Sequence, residues 1–167
     1  HAGERMVPAV LAGRTVRVLG SPDVPHSFTY VPDLAAAMIR AAQQPAVWNS
    51  VLHAPTGPAL TQRELVQAFA AAAAVAVPKV ASLPGWLIRG LAPVLPDARE
   101  LAEMLYQFEE PFVMESADSQ SALGLAPTPL AEAAAATVRW WRSELREPAA
   151  GSLSGAQTAA YPDSTRT

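Results

Sequence analysis

The sequence predicts an α/β fold, rich in helix and with short strands. Three observations carry that reading. Several stretches repeat apolar residues at helical spacing. Between them lie brief β-branched runs, such as 15–19 and 79–83, bounded by glycine or proline. Hydrophobic residues make up 50% of the 167 and charged residues only 16%, so one packed domain is within reach.

Residues 3–12 read as the first helix. Val7, Val10 and Leu11 share a face, and Gly13 suits the left-handed position that closes a helix. Pro8 marks its first turn proper. In 15–19, polar and apolar residues alternate over the first four positions, which predicts a half-buried strand. Residues 20–25 form a loop by their Gly, Ser, Pro and Asp content. Phe28, Thr29, Tyr30 and Val31 are aromatic or β-branched and predict a second short strand, ended by Pro32. Asp33 then stands where a helix N-cap belongs. Leu34, Ala35, Met38 and Ala42 give the helix that runs to Gln43 its apolar face.

Residues 50–53 predict a strand and 54–58 the loop after it. Thr61 and Glu64 have the spacing of a capping box, opening a helix that turns Leu65, Val66, Phe69 and Ala73 inward. Residues 79–83 predict another strand. Residues 84–95 and 97–108 read as two helices broken at Pro96, the second with Leu101, Met104, Leu105 and Phe108 on one face. Phe112, Val113 and Met114 read as extended. Residues 118–123 predict a short helix closed by Gly124. Thr128 is the expected cap of the last helix, with Pro129 at its first position. Leu130, Ala134, Thr137, Val138, Trp141 and Leu145 form its expected buried stripe. Residues 147–167 are Pro, Ala, Gly, Ser and Thr without apolar period and read as a disordered tail.

Composition narrows the function. A net charge of −3 and a pI near 5.6 give no basic footprint for nucleic acid. No cysteine is present, which removes disulfides and thiolate metal sites and is compatible with a cytoplasmic location. The longest apolar run, 68–78, is short of the roughly 20 residues a membrane span needs. The first residues lack the apolar run of a signal peptide. A start at histidine rather than methionine points to a processed or truncated beginning.

The run Phe28-Thr29-Tyr30-Val31-Pro32-Asp33-Leu34-Ala35-Ala36-Ala37 resembles the "aromatic-x-Tyr/His-Val-x-Asp-Leu/Val-Ala-x-Ala" segment of the extended short-chain dehydrogenase/reductase family, the NAD-dependent epimerase/dehydratases. Other pieces follow in the family's order between about Gly3 and Arg146. The first helix with Gly13 resembles the lead into its substrate domain. Val16 to Gly20 is similar to the next strand and turn. Val51 to Gly57 is similar to a "Val-Tyr-Asn-Leu-Gly-x-Gly" strand and loop, with His53-Ala54-Pro55 replacing Asn-(small)-Gly. Thr61 to Phe69 is similar to the "Ser/Thr-x-x-Glu-Leu" helix. Leu123-Gly124-Leu125-Ala126-Pro127-Thr128-Pro129-Leu130 with Trp140-Trp141 is similar to the family's ending.

The resemblance implies that residues 1–146 are the C-terminal, substrate-binding portion of an NAD(P)-binding Rossmann-type fold. It implies NAD or NADP in the intact protein, bound mainly by a preceding part, and hydride transfer at an oxygen-bearing carbon. Family members use a glycine-rich turn for the cofactor and a Tyr-x-x-x-Lys pair whose lysine lowers the tyrosine's pKa. Neither motif is here. Four residues after Tyr30, Tyr106 and Tyr161 stand Leu34, Glu110 and Thr165, and four before Lys79, the only lysine, stands Val75. The chain alone is therefore expected to be inactive.

Three residues are candidates for substrate contact. His26 falls where sugar-nucleotide members of the family carry a phosphate-binding arginine; the other reading is a surface loop histidine. Glu115 falls near a family aspartate, or is simply an exposed carboxylate. Tyr30 donates to ligand or packs in its strand. Asp33 reads as a cap rather than an acid, and Trp140-Trp141 as helix packing rather than a stacking platform. No Gly-x-Ser-x-Gly elbow supports a hydrolase triad, and His1, His26 and His53 are too scattered for a metal site.

Two functions compete. The first is the substrate-side part of an NAD(P)-dependent epimerase, dehydratase or reductase. Its partner would be a small-molecule substrate, with neither nucleic acid nor membrane, and a homodimer is a possible assembly. The second is a non-catalytic module on the same fold that binds a small molecule or a protein. If the chain is such a part, apolar helix faces and the strand 51–53 should be left uncovered.

Overall fold

The computed structural model describes residues 2–83, 85, 86, 90, 99 and 102–146. Most of the expected helix 84–95, residues 97, 98, 100 and 101 of the expected helix 97–108, and the tail 147–167 lie outside the described residues.

Helix α1 spans Ala2–Leu11, with Pro8 in its interior rather than its first turn. It ends as expected: Gly13 takes φ +62°, and the Arg14 N–H reaches back to the Ala9 carbonyl at 2.9 Å. Strand β1, Val16–Leu19, follows with Val16 and Val18 buried and Arg17 exposed, as the alternation requires. Helix α2 is Val31–Gln43 and α3 is Gln62–Ala73. Strand β2, Val80–Leu83, pairs with β1 in parallel, Val16 opposite Val80 and Leu19 opposite Leu83. After it come the short α4, Tyr106–Glu109, then α5, Ala117–Leu123, and α6, Leu130–Glu144.

The main core lies where α1, α3 and α6 meet against β1. Val7, Val10, Val16, Val66, Ala70 and Val138 are buried together there, with Phe69, Ala134 and Leu65 beside them. The expected inward face of α3 is thus the observed one. Its entry is also as expected: the Glu64 carboxylate accepts from the Thr61 N–H at 2.8 Å, and the Glu64 N–H donates to the Thr61 hydroxyl oxygen at 3.1 Å. Arg142 of α6 donates to the Ala73 carbonyl at 2.7 Å and ties the ends of α3 and α6 together. Only the middle of the α6 stripe is covered. Ala134 and Val138 are buried, Trp141 packs on the core edge, and Leu130 and Leu145 overhang it. Trp140 meets Trp141 edge to face, with ring centroids 4.9 Å apart.

Several expectations need correction. Residues 28–31 do not form a strand; Val31 already begins α2, and Tyr30 is its N-cap. Asp33 is not the cap, because it lies in the first turn and its carboxylate faces Thr128. Thr128 is not the cap of α6 either: Pro129 holds that place, and the Thr128 hydroxyl turns to Asp33. Met104 and Leu105 form a turn instead of continuing a helix, although Leu105 is fully buried as expected.

Helix α2 departs furthest from its pattern. It rests on Ala37 and Ala41, packed with Val47, Leu52, Leu123 and Leu125. The predicted face, one edge further round the helix, is bare: Met38 is 66% exposed, and Val31, Leu34 and Ile39 are exposed with it. Residues 50–53 likewise form no strand, since they have no ladder partner among the described residues, and Val51 is 91% exposed. An apolar helix face and an unpaired extended-looking segment thus lie open together. Both expectations are corrected here: the helix face expected to be buried is exposed, and the expected strand is unpaired among the described residues.

Candidate functional site

Three irregular segments, 26–30, 53–57 and 112–116, converge beside the N-terminus of α5. Backbone bonds set their order. His26 exchanges both backbone bonds with Leu60, at 2.8 and 2.9 Å, in an antiparallel bridge. It also bridges Phe112 in parallel, and the Ser27 N–H donates to the Phe112 carbonyl at 2.9 Å.

Side-chain hydroxyls then close the seam. The Ser27 hydroxyl oxygen accepts from the Met114 N–H at 2.9 Å. Thr29 and Thr56 hydroxyls lie 2.7 Å apart. Ser116 is buried between both backbone groups of Thr56: its oxygen accepts from the Thr56 N–H at 3.2 Å, and its hydroxyl donates to the Thr56 carbonyl at 3.2 Å. Gln120 of α5 donates to the Ser116 oxygen at 2.8 Å. Ser119 accepts from the His53 N–H at 2.9 Å. Among the described residues no buried side-chain polar atom lacks a partner, so this network is closed and holds its segments rigidly.

The three expected contact residues fall on this seam but in different situations. His26 is 8% exposed. Its Nδ1 lies 2.9 Å from the Val24 carbonyl oxygen, and its Nε2 meets the Gln107 carbonyl oxygen. Phe28 and Phe108 flank the ring. Tyr30 is half-buried at the mouth of α2. Glu115 is exposed, and its backbone carbonyl oxygen accepts from His53 Nδ1 at 2.6 Å. The structure thus adds His53 to the seam, together with Thr29, Thr56, Ser116, Ser119 and Gln120. Sequence reasoning missed them because Ser, Thr and Gln carry no spacing signal, and because the three histidines looked unrelated.

The described residues do not fit a nicotinamide dinucleotide. Its phosphates need a glycine turn opening onto a free helix N-terminus. Gly20 follows β1 at φ +63°, yet it is pressed against the Phe108 carbonyl, where even a methyl group would overlap. The N-terminus of α3 is filled by the Glu64 carboxylate, and α2 and α6 each carry an acid in the first turn. Among the described residues no group of three or more His, Asp or Glu side chains is placed to hold a metal. No described helix is long and apolar enough to cross a membrane.

No family model matches the chain, and no curated protein does. Solved structures do match it. UDP-glucuronic acid 4-epimerase from Bacillus cereus, in complex with UDP-glucuronic acid and NAD, superposes with a TM-score of 0.64 at 12% identity, over 86% of this chain and 40% of that one. A partial consensus L-threonine 3-dehydrogenase gives 0.60 at 15% identity, over 85% of this chain and 42% of that one. Human epimerase family protein SDR39U1 (isoform 2) with NADPH gives 0.54 at 19% identity, over 81% and 42%. This chain therefore has the fold of a portion of the Rossmann-type, NAD-dependent extended short-chain dehydrogenase/reductases. It spans about two fifths of the length of each structure named.

Proposed function

We propose that this chain is the C-terminal, substrate-side portion of an NAD(P)-dependent epimerase, dehydratase or reductase. In the whole protein, NAD or NADP and the proton-transferring tyrosine belong to a preceding nucleotide-binding part. The segments 26–30, 53–57 and 112–116 then orient a small-molecule substrate against it.

One observation carries this reading: Leu34, Met38 and Ile39 of α2 are exposed, and so is Val51 of the unpaired segment 50–53. A parallel nucleotide-binding sheet supplies both missing partners, a strand to pair with and apolar surface to cover α2. The partial match to NAD-dependent enzymes supports the same assignment. Tyr30 and Glu115 are the proposed substrate contacts. His26, with both ring nitrogens facing carbonyl oxygens, is the proposed contact at the base of the site, through its ring edge.

The test is to join the chain to the sequence that precedes it in its gene. A glycine-rich turn and a Tyr-x-x-x-Lys pair should be found there, and the joined protein should bind nicotinamide cofactor and lose the exposure of Met38. A gene that supplies neither motif would end the proposal.

A further inference from the structure

His53 differs from His26 in a way that matters chemically. A carbonyl oxygen can only accept a hydrogen bond. The 2.6 Å contact from His53 Nδ1 to the Glu115 carbonyl therefore places the ring proton on Nδ1. In the neutral ring, Nε2 then carries the lone pair. No hydrogen bond to Nε2 is formed among the described residues, and the side chain is exposed. The residue is also held firmly, because its own N–H donates to Ser119 at the start of α5. His26 has no such freedom, since both of its nitrogens face carbonyls.

We infer that His53 is a specificity-determining substrate contact, whose Nε2 accepts a hydrogen bond from a hydroxyl group of a polyol or sugar-like ligand. The choice of ligand class rests on the substrate-side reading above; the ring's tautomer does not. A preset tautomer matters because an acceptor held in place loses little rotational freedom on binding. Glu115, whose backbone carbonyl fixes the ring, also carries an exposed carboxylate. A neutral acceptor on one residue and a negative charge on the residue hydrogen-bonded to it favour a hydrogen-bond donor and disfavour a phosphate or carboxylate. The resembling segment of the family carries asparagine at this position. Asparagine can reproduce the Nδ1–H donor, but it has no atom where Nε2 lies.

That difference makes His53→Asn the diagnostic variant. Its amide N–H can still reach the Glu115 carbonyl, so the anchor is kept and only the outward acceptor is removed. The 167-residue chain, labelled with 15N in its imidazoles, is titrated with glucose and with inositol. The expected result is a protonated Nδ1 and an unprotonated Nε2 at His53. The Nε2 resonance should shift saturably with a probe, and the affinity should fall at least about tenfold in His53→Asn. The opposite tautomer in the unmodified chain overturns the inference whatever the variant does. Saturable shifts near Tyr30 or Glu115 that are equal in both proteins overturn it too, while leaving the substrate-side reading intact. No saturable shift anywhere with either probe overturns the inference and counts against that reading.

Discussion

The Asp33 carboxylate holds both hydrogen-bond donors of Thr128, the backbone N–H at 2.8 Å and the hydroxyl at 2.6 Å, across 95 positions of sequence. This single clamp joins the first turn of α2 to the residue before the cap of α6. It ties the entry of the last helix to α2.

Removing the clamp should be costly, because hydrogen bonds to a charged group contribute about 1.5–3 kcal/mol each. Asp33→Ala is expected to lose about 2–4 kcal/mol in urea denaturation, two such bonds less some replacement by water. Thr128→Val deletes only the hydroxyl and is expected to lose about 1–2 kcal/mol. An Asp33→Ala midpoint unchanged from that of the unmodified chain would refute the clamp.

Two left-handed glycines should respond unequally to the same change. Gly13, at φ +62°, has open space around a would-be methyl, so Gly13→Ala should cost only the backbone term of about 1–2 kcal/mol. Gly20, at φ +63°, is pressed against the Phe108 backbone. Gly20→Ala must add overlap to the same term and is expected to cost more than about 3 kcal/mol. Thermal melts of the two variants read the difference directly.

Core and bare face should separate cleanly. Leu65→Ala empties part of the α1–α3–α6 core and should cost about 2–5 kcal/mol. Met38→Glu with Ile39→Lys alters exposed positions only and should change stability by less than about 0.5 kcal/mol per site. The same pair should lower light scattering of the chain, because it breaks the apolar patch. In a protein that contains the proposed nucleotide-binding part, the pair should instead destabilise.

Acid should weaken the entry to α3. The Arg63 guanidinium, hydrogen-bonded to Asp23 at 2.6 and 3.0 Å, holds that carboxyl below its ordinary value. The Thr61 backbone N–H, and then its hydroxyl, do the same for Glu64. Both folded-state values lie below the unfolded ones. Their stabilisation is therefore complete above the unfolded values, near pH 4, and is lost as pH falls through the folded ones. Urea midpoints measured from about pH 6 down to about pH 3 should fall, and fall less in Asp23→Asn and Glu64→Gln. Both groups are exposed, so high salt should shrink the Asp23 contribution first.

Local features are legible in the chain alone. Thr61 and Glu64 lie three apart and close a cap within one turn. Gly13 and Gly124 take the left-handed positions that end their helices. The alternation in β1 and the inward face of α3 follow from chain periodicity alone. The family pattern around Phe28 to Ala37 pointed to the fold that the solved structures share.

The long-range pairings come from tertiary packing, which no local pattern reveals. Asp33 looked like a cap because nothing local reveals a threonine 95 residues away. The apolar period of α2 and the β-branched run near Val51 predict buried surfaces, yet both are exposed here, because periodicity does not say what a face packs against. The difference between His26 and His53 has the same cause. Which ring nitrogen is free depends on carbonyl oxygens supplied by Gln107 and Glu115, and those come from distant turns of the backbone.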